Sequence, residues 1–154
     1  MFWGFNMNDF YKVKFHAILL GLILFAESAL AKELLLYGGS NHDEFLGCLV
    51  CNEYSSESVC NGYGQYGNEY GSNMWNEYSS PYGNEYSPSS PWNEYSGSNN
   101  VPILVDRQGN FYGYFTINAY RSNAVDFADQ LYKIFKMHNG DVEEVRKTLC
   151  NWIN

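Results

Sequence analysis

The chain has 154 residues, with 9 Lys+Arg against 17 Asp+Glu, a net charge of −8, 18% aromatic residues and 14 tyrosines. That length suits one modest domain. The acidic balance argues against nucleic-acid binding, which needs basic surface to displace counterions from phosphates, and no apolar run reaches the ~20 residues of a membrane-spanning helix.

Residues Met1–Ala31 read as a secretory signal peptide. Lys12 and Lys14 supply the positive region, Phe15–Ala26 the apolar core, and Ala29-Leu30-Ala31 the small-x-small cleavage pattern, with the cut before Lys32. Met7 is an alternative start. The leader removes two bases (Lys12, Lys14) and two acids (Asp9, Glu27), so the exported part keeps the charge of −8. The expected setting is the periplasm or the exterior, with no transmembrane span left after cleavage.

From Lys32 on, a single exported domain is expected, in three stretches. In 32–51, Glu33–Tyr37 reads as a strand that stops at Gly38-Gly39. Residues 52–100 contain no Lys or Arg and six Glu. Here Asn-Glu-Tyr recurs at 52, 68, 76, 84 and 93, a unit of about eight residues, and Cys51, Cys60, Trp75 and Trp92 each precede an Asn-x-Tyr. Ser, Gly and Asn favour turns, and a short repeat buries its apolar side only by stacking on its neighbours. Trp75 and Trp92 are therefore expected as core anchors. Tyr54, Tyr70, Tyr78 and Tyr86 are expected as a platform for a ligand.

Residues 101–154 carry six acids and six bases, so all net charge lies upstream. Val101–Val105, the turn Asp106–Gly109 and Asn110–Ile117 read as a β-hairpin. Phe111, Gly113, Phe115 and Ile117 lie on one face, and Tyr112, Tyr114 and Thr116 on the other. Two helices follow. Asn123 is placed to cap the first, with Asp126 in its opening turn and a stripe of Phe127, Leu131, Ile134 and Phe135. Asn139-Gly140 suits a left-handed end. Asp141 and Glu144 form a capping box for the second helix, with Val142, Val145, Leu149 and Trp152 as its apolar stripe. The fold class expected is α+β: a small antiparallel sheet, a Tyr/Trp-rich repeat layer and two C-terminal helices, stabilised by disulfides.

Cys48, Cys51, Cys60 and Cys150 are the disulfide candidates, and four cysteines allow three pairings. A Cys51–Cys60 or Cys48–Cys60 bridge would close a short loop and leave Cys150 to tie the last helix to the first stretch. Two sharper chemistries compete. Cys48-Leu49-Val50-Cys51 has the spacing of a thiol–disulfide pair; the Val101-Pro102-Ile103 run and the Asp106–Gly109 turn loosely resemble the later part of a thioredoxin-like domain. His42 with Cys48, Cys51 and Cys60 offers four metal ligands, at no standard zinc spacing. The sequence holds no phosphate-binding Gly-rich loop, His-Glu-x-x-His or Gly-x-Ser-x-Gly. No catalytic residue and no cofactor are assigned.

The blocks Leu34-Leu35-Leu36-Tyr37-Gly38-Gly39, His42, Phe45-Leu46-Gly47-Cys48-Leu49-x-Cys51, Ser90-Pro91-Trp92-Asn93-x-Tyr95 and Pro102-x-x-Val105-Asp106-x-x-Gly109-Asn110-Phe111-Tyr112-Gly113-Tyr114 make the chain similar to a widespread group of small exported bacterial proteins without an assigned activity. The resemblance spans nearly all of the exported part and implies a bacterial secretory product folded as one domain. The functional expectation is a non-enzymatic envelope or extracellular binding or structural module, with an envelope glycan or a cationic protein as partner. The alternatives are a thiol–disulfide or metal-binding protein, and a hydrolase whose site carries no motif.

Overall fold

The computed structural model describes residues 32–78 and 81–153; the leader expected over Met1–Ala31 lies outside them. The order of elements is β1 (Leu34–Gly38), β2 (Glu44–Val50), β3 (Ile103–Asp106), β4 (Phe111–Tyr114), α1 (Ala128–Met137) and α2 (Val142–Ile153). The four strands form one antiparallel sheet in the order β2-β1-β3-β4. β1 is an interior strand, which explains its unbroken Leu34-Leu35-Leu36 run in place of an alternating pattern. β2 pairs with β1 through two register shifts and carries Cys48.

Between β2 and β3 the chain advances by turns. The backbone N–H of residue i+3 reaches the carbonyl of i at Ser55→Asn52, Ser58→Ser55, Asn61→Ser58 and Gly64→Asn61. The same step recurs at Ser87→Asn84, Ser90→Ser87, Asn93→Ser90 and Ser96→Asn93. The Asn or Ser that opens each turn also accepts the N–H two residues on, as Asn73 does from Trp75 (2.9 Å) and Ser90 from Trp92 (3.1 Å). Side chains then tie each segment to an earlier one. Asn73 Nδ2 donates to Gln65 O (3.2 Å), and Ser90 Oγ to Tyr82 O (2.8 Å), both eight residues back. Gly83 lies so close to the preceding segment that a Cβ there would sit 1.9 Å from the Asn76 carbonyl oxygen, a spacing only glycine permits.

The turns that point inward build the core. Trp75 and Trp92 are each 1% exposed, with ring centroids 5.2 Å apart. Trp92 also stacks on Phe135 of α1 (5.9 Å, 3° between planes), meets Phe115 edge-on (6.0 Å) and donates its indole N–H to Met74 O (2.7 Å). Tyr82 lies under Gly38 of β1 and donates its hydroxyl to Glu44 (2.6 Å). Burial and that carboxylate push its phenol up to about 12.

The cysteines pair as Cys48–Cys51 and Cys60–Cys150, with Cα separations of 5.9 and 5.6 Å, both within the range disulfides span. Of the three pairings that the sequence leaves open, this is the one in which Cys60 bridges neither Cys48 nor Cys51. The backbone decides it. Cys48 is fixed in β2, its N–H on Glu57 O (2.7 Å) and its carbonyl on Val59 N–H (3.0 Å), and Cys51 closes on it just past the strand end. Cys60 meets α2, where Arg146 is buried with two bonds to Glu143 (2.7 Å each) and one to Val59 O (3.1 Å).

Four expectations are corrected. The expected hairpin face holds at Phe115 and Ile117, which are buried, but not at Phe111, which is exposed, nor at Thr116 of the opposite face, which is buried. A register shift at Leu104/Val105 interrupts the alternation, and the strand stops at Tyr114. Asn123 does not cap α1. It adopts a left-handed φ of 59° and its carbonyl accepts the Tyr114 N–H (2.8 Å), while Val125 N–H donates to Tyr114 O (3.0 Å). The segment thus covers the outer edge of β4, pressed so closely on Gly113 (φ +130°) that a Cβ there would lie 2.8 Å from Val125 N. α1 accordingly starts only at Ala128, with Phe127 at its N-cap. On α2 the buried stripe takes in Arg146 and Cys150, leaving Trp152 half-exposed against Phe127 (5.9 Å). The left-handed end of α1 at Asn139 and Gly140 is present. Asp141 accepts the N–H groups of Glu143 and Glu144 (3.1 Å each), but Glu144 turns to Lys147 (2.8 Å), so the box has only its Asp141 half.

Asp106 organises the β3–β4 turn. It accepts the N–H groups of Gln108 and Asn110 (2.9 Å each) and the Asn110 amide (2.8 Å), and pairs with Lys32 (2.5 Å). Burial alone would push this carboxyl up, but Lys32, Asn110 and the two backbone donors outweigh it and hold it well below the usual carboxylate range. Its contribution to stability is therefore complete above the unfolded pKa of ~4 and declines as pH falls below it. Acid unfolding should show this loss in the native chain. Asp106→Asn should be less stable at pH 7 and should have a shallower dependence on pH between ~4 and ~2.

The core makes a second prediction. Trp92→Ala should cost about 3–5 kcal/mol in urea unfolding. Replacing Cys60 and Cys150 together by Ser should cost up to about 4–5 kcal/mol in the chain-entropy model, for a bridge of sequence separation 90.

Candidate functional site

Each Asn-Glu-Tyr triplet opens an outward turn. The Asn Oδ1 accepts the N–H of the tyrosine two residues on, at 2.9 Å for Asn52–Tyr54, 2.8 Å for Asn68–Tyr70, 3.0 Å for Asn76–Tyr78, 2.9 Å for Asn84–Tyr86 and 3.0 Å for Asn93–Tyr95. The same local bonds also form at Asn73, whose next two residues, Met74 and Trp75, turn inward; at the triplets the polar Glu and the amphipathic Tyr take the solvent side instead. Asn61-Gly62-Tyr63 (3.1 Å) and Asn118-Ala119-Tyr120 (3.2 Å) share this geometry with no Glu in the middle. Tyr54, Tyr63, Tyr70, Tyr78, Tyr86, Tyr95 and Tyr120 are 82–101% exposed.

Grooves separate successive tyrosines. One of about 320 Å³ runs from Glu69 and Tyr70 to Glu77 and Tyr78, lined also by Trp75, with Asp141, just before α2, and Val142 and Glu143 of its first turn along its side. The next, about 250 Å³, lies between Glu77-Tyr78 and Glu85-Tyr86, and shares Val142 with the first. A third, about 590 Å³, lies between Glu94-Tyr95 and Asn118–Tyr120, walled by Asp129 and Tyr132 of α1.

In each pair the carboxylate beside the tyrosine holds the phenol of Tyr54, Tyr70, Tyr78, Tyr86 and Tyr95 above its ordinary value, because the anion would face that carboxylate. Among the described residues, Glu94 alone of these glutamates makes a salt bridge with a lysine: Lys136 at 2.9 Å, which with Tyr95 lowers its carboxyl.

Of the residues singled out in the sequence, the four platform tyrosines all lie on this outer surface, and Trp75 and Trp92 all but vanish beneath it. Tyr63, Tyr95 and Tyr120 belong with the four. The signal for them was the Asn two residues before each, more general than the Asn-Glu-Tyr triplet. The metal set of His42, Cys48, Cys51 and Cys60 is not available as a thiolate site, since all three cysteines are in disulfides. His42 instead sits in the β1–β2 turn with Nε2 against Val101 O (3.2 Å). His138, at the end of α1, contacts Thr148 (2.7 Å). The Cys48–Cys51 bridge has the redox spacing, but Cys48 is fully buried.

Removing one carboxylate tests the pairing. In Glu77→Gln the Tyr78 phenol should titrate lower, toward the ordinary ~10, while Tyr86 keeps its raised midpoint; ring-carbon NMR titration reads both. An unchanged Tyr78 midpoint would show that the two side chains are not coupled.

No family model matches the chain, and no curated protein or solved structure is significantly similar to it.

Proposed function

We propose that this chain is an exported, non-enzymatic binding module that engages an extended polymer outside the cytosol through its row of tyrosines. The observation that carries the reading is the exposure of Tyr54, Tyr70, Tyr78, Tyr86 and Tyr95 on a frame of hydrogen-bonded turns. Aromatic rings held out at nearly full exposure contribute nothing to the core. They are costly surface for a protein that has no use for them, and large contact area at low rotamer cost for one that binds. Repetition of the same pair along the row favours a repeating or extended partner over a compact small molecule.

Export is supported by two disulfides and by the absence, among the described residues, of any helix long and apolar enough to cross a membrane. The signal peptide at 1–31, with cleavage after Ala31, completes this reading; mass spectrometry of the protein recovered outside the cytosol should give an N-terminus at Lys32.

A second reading, thiol–disulfide exchange, is favoured by the Cys48–Cys51 bridge. Insulin reduction by the native chain, lost in Cys48→Ser, would establish it.

The binding reading is tested by co-sedimentation with cell-envelope preparations. Replacing Tyr70, Tyr78 and Tyr86 together by Ala should weaken binding about tenfold or more, at ~0.5–1 kcal/mol per exposed aromatic contact. Because these side chains lie outside the core, urea unfolding should be nearly unchanged. Undiminished binding by the triple variant would overturn the platform.

A further inference from the structure

The two grooves around Tyr78 are acidic as well as aromatic. Glu69, Glu77 and Glu85 stand in the row, and Asp141, just before α2, and Glu143 in its first turn line the first groove with them. Among the described residues no salt bridge reaches Glu69, Glu77 or Glu85; Lys147 of α2 pairs with Glu144 (2.8 Å) and Glu143 (3.7 Å) and acts on Glu69 and Tyr70 only through space. Trp75 lines the first groove, and its buried indole N–H has no hydrogen-bond acceptor among the described residues. A buried unmet donor is costly.

The chain itself shows what such a pair takes when a cation is within reach. At Glu94-Tyr95, Lys136 binds the carboxylate at 2.9 Å and lies over the Tyr132 ring, 5.2 Å from its centroid. Lys32 does the same at the hairpin, 2.5 Å from Asp106 and 5.2 Å from the Tyr112 centroid. Arg121 stacks on Tyr114 at 3.7 Å. Each joins a cation to a tyrosine face, two of them with a carboxylate alongside, an arrangement in which ion pairing and the ring quadrupole act together. Glu77-Tyr78 and Glu85-Tyr86 repeat the tyrosine and the carboxylate without the cation.

We propose that the grooves on either side of Tyr78 bind an extended, lysine- or arginine-rich segment of a partner protein. Its ammonium or guanidinium groups take at Glu77-Tyr78 and Glu85-Tyr86 the place that Lys136 takes at Glu94. This rests on the binding-module reading and names its partner class. Charge complementarity favours it over a neutral glycan, because a row of carboxylates adds nothing to stacking on an uncharged sugar but steers and holds a cationic chain.

The test is fluorescence anisotropy of the disulfide-bonded protein with a labelled peptide of about ten residues alternating Lys and Ser. Controls are an alternating Glu and Ser peptide and a neutral peptidoglycan-derived oligosaccharide. The Lys peptide should bind and the Glu peptide should not. Affinity should fall several-fold between about 20 and 200 mM salt. Tyr78→Ala should weaken binding about threefold and Tyr78→Phe much less, because the ring face and not the hydroxyl meets the cation. Glu77→Gln with Glu85→Gln should weaken it about fivefold or more, against little change for Asp126→Asn, which removes a charge elsewhere on the surface. Equal losses for Asp126→Asn and for the glutamate variants, with none for Tyr78→Ala, would mean unspecific ion exchange and overturn the proposal. Tyrosine-dependent binding of the oligosaccharide without binding of the Lys peptide would overturn the cationic partner while leaving a binding module. Failure to bind either would count against both.

Discussion

The structure depends on one small interaction repeated many times: an Asn or Ser side-chain oxygen accepting the backbone N–H two residues on. Between β2 and β3 the described residues, roughly fifty, run without a strand or a helix, and their peptide groups still need partners wherever they are covered. The local side chain supplies one acceptor, the i→i+3 backbone bond a second, and amide groups such as those of Asn61, Asn73 and Asn93 reach back to carbonyls five to eight residues earlier. An Ala at these positions would leave both the turn and its link to the previous segment unmade. The composition of this stretch, which alone would suit a disordered tract, is here the means by which irregular backbone is satisfied.

Turns fix direction as well as hydrogen bonding. Turns that open at Ser58, Asn73 and Ser90 carry Val59, Met74, Trp75 and Trp92 inward; the turns that follow, at Asn61, Asn76 and Asn93, carry Tyr63, Tyr78 and Tyr95 outward. The inward side is then locked to the regular elements. Trp92 stacks on α1, Tyr82 bonds Glu44 of β2, and Cys60 with Arg146 fastens the stretch to α2. The Cys60–Cys150 bridge joins points far apart in sequence, where a cross-link restricts the unfolded chain most. Cys48–Cys51 closes only a local loop at the end of β2 and acts on that turn alone.

Much of this was legible in the residues, for definite reasons. β1, the β3–β4 turn and both helices have strong local patterns, and the tryptophans were marked by their fixed place before Asn-x-Tyr. What could not be read needed long-range partners. Asn123 looks like a helix cap until Tyr114 claims its carbonyl. Arg146 looks like a surface residue until Glu143 and Val59 O enclose it. The cysteine pairing follows from where α2 docks, which no spacing encodes. At the candidate site, Asn-Glu-Tyr gave the outer tyrosines, yet the smaller rule, Asn two residues ahead of Tyr, gives Tyr63 and Tyr120 as well.

The glutamates explain how such a surface can exist at all. A contiguous row of exposed rings is an invitation to self-association. Here the residue before the ring in five of the seven outward tyrosine turns is an acid, and the tyrosine stretch holds no Lys or Arg that could neutralise it from a second copy. Two such rows repel one another. The basic residues that might have bridged them are largely engaged within the chain: Lys32 on Asp106, Arg107 on Glu33 and Glu57, Lys136 on Glu94, and Arg146 and Lys147 on the start of α2. The same charge that keeps the rings apart from other copies leaves them open to a partner of opposite sign, so solubility and selectivity come from one substitution pattern. The turns hold each ring in place before any partner arrives, which lowers the ordering cost of contact, and that is a property of the Asn two residues ahead rather than of the tyrosine itself.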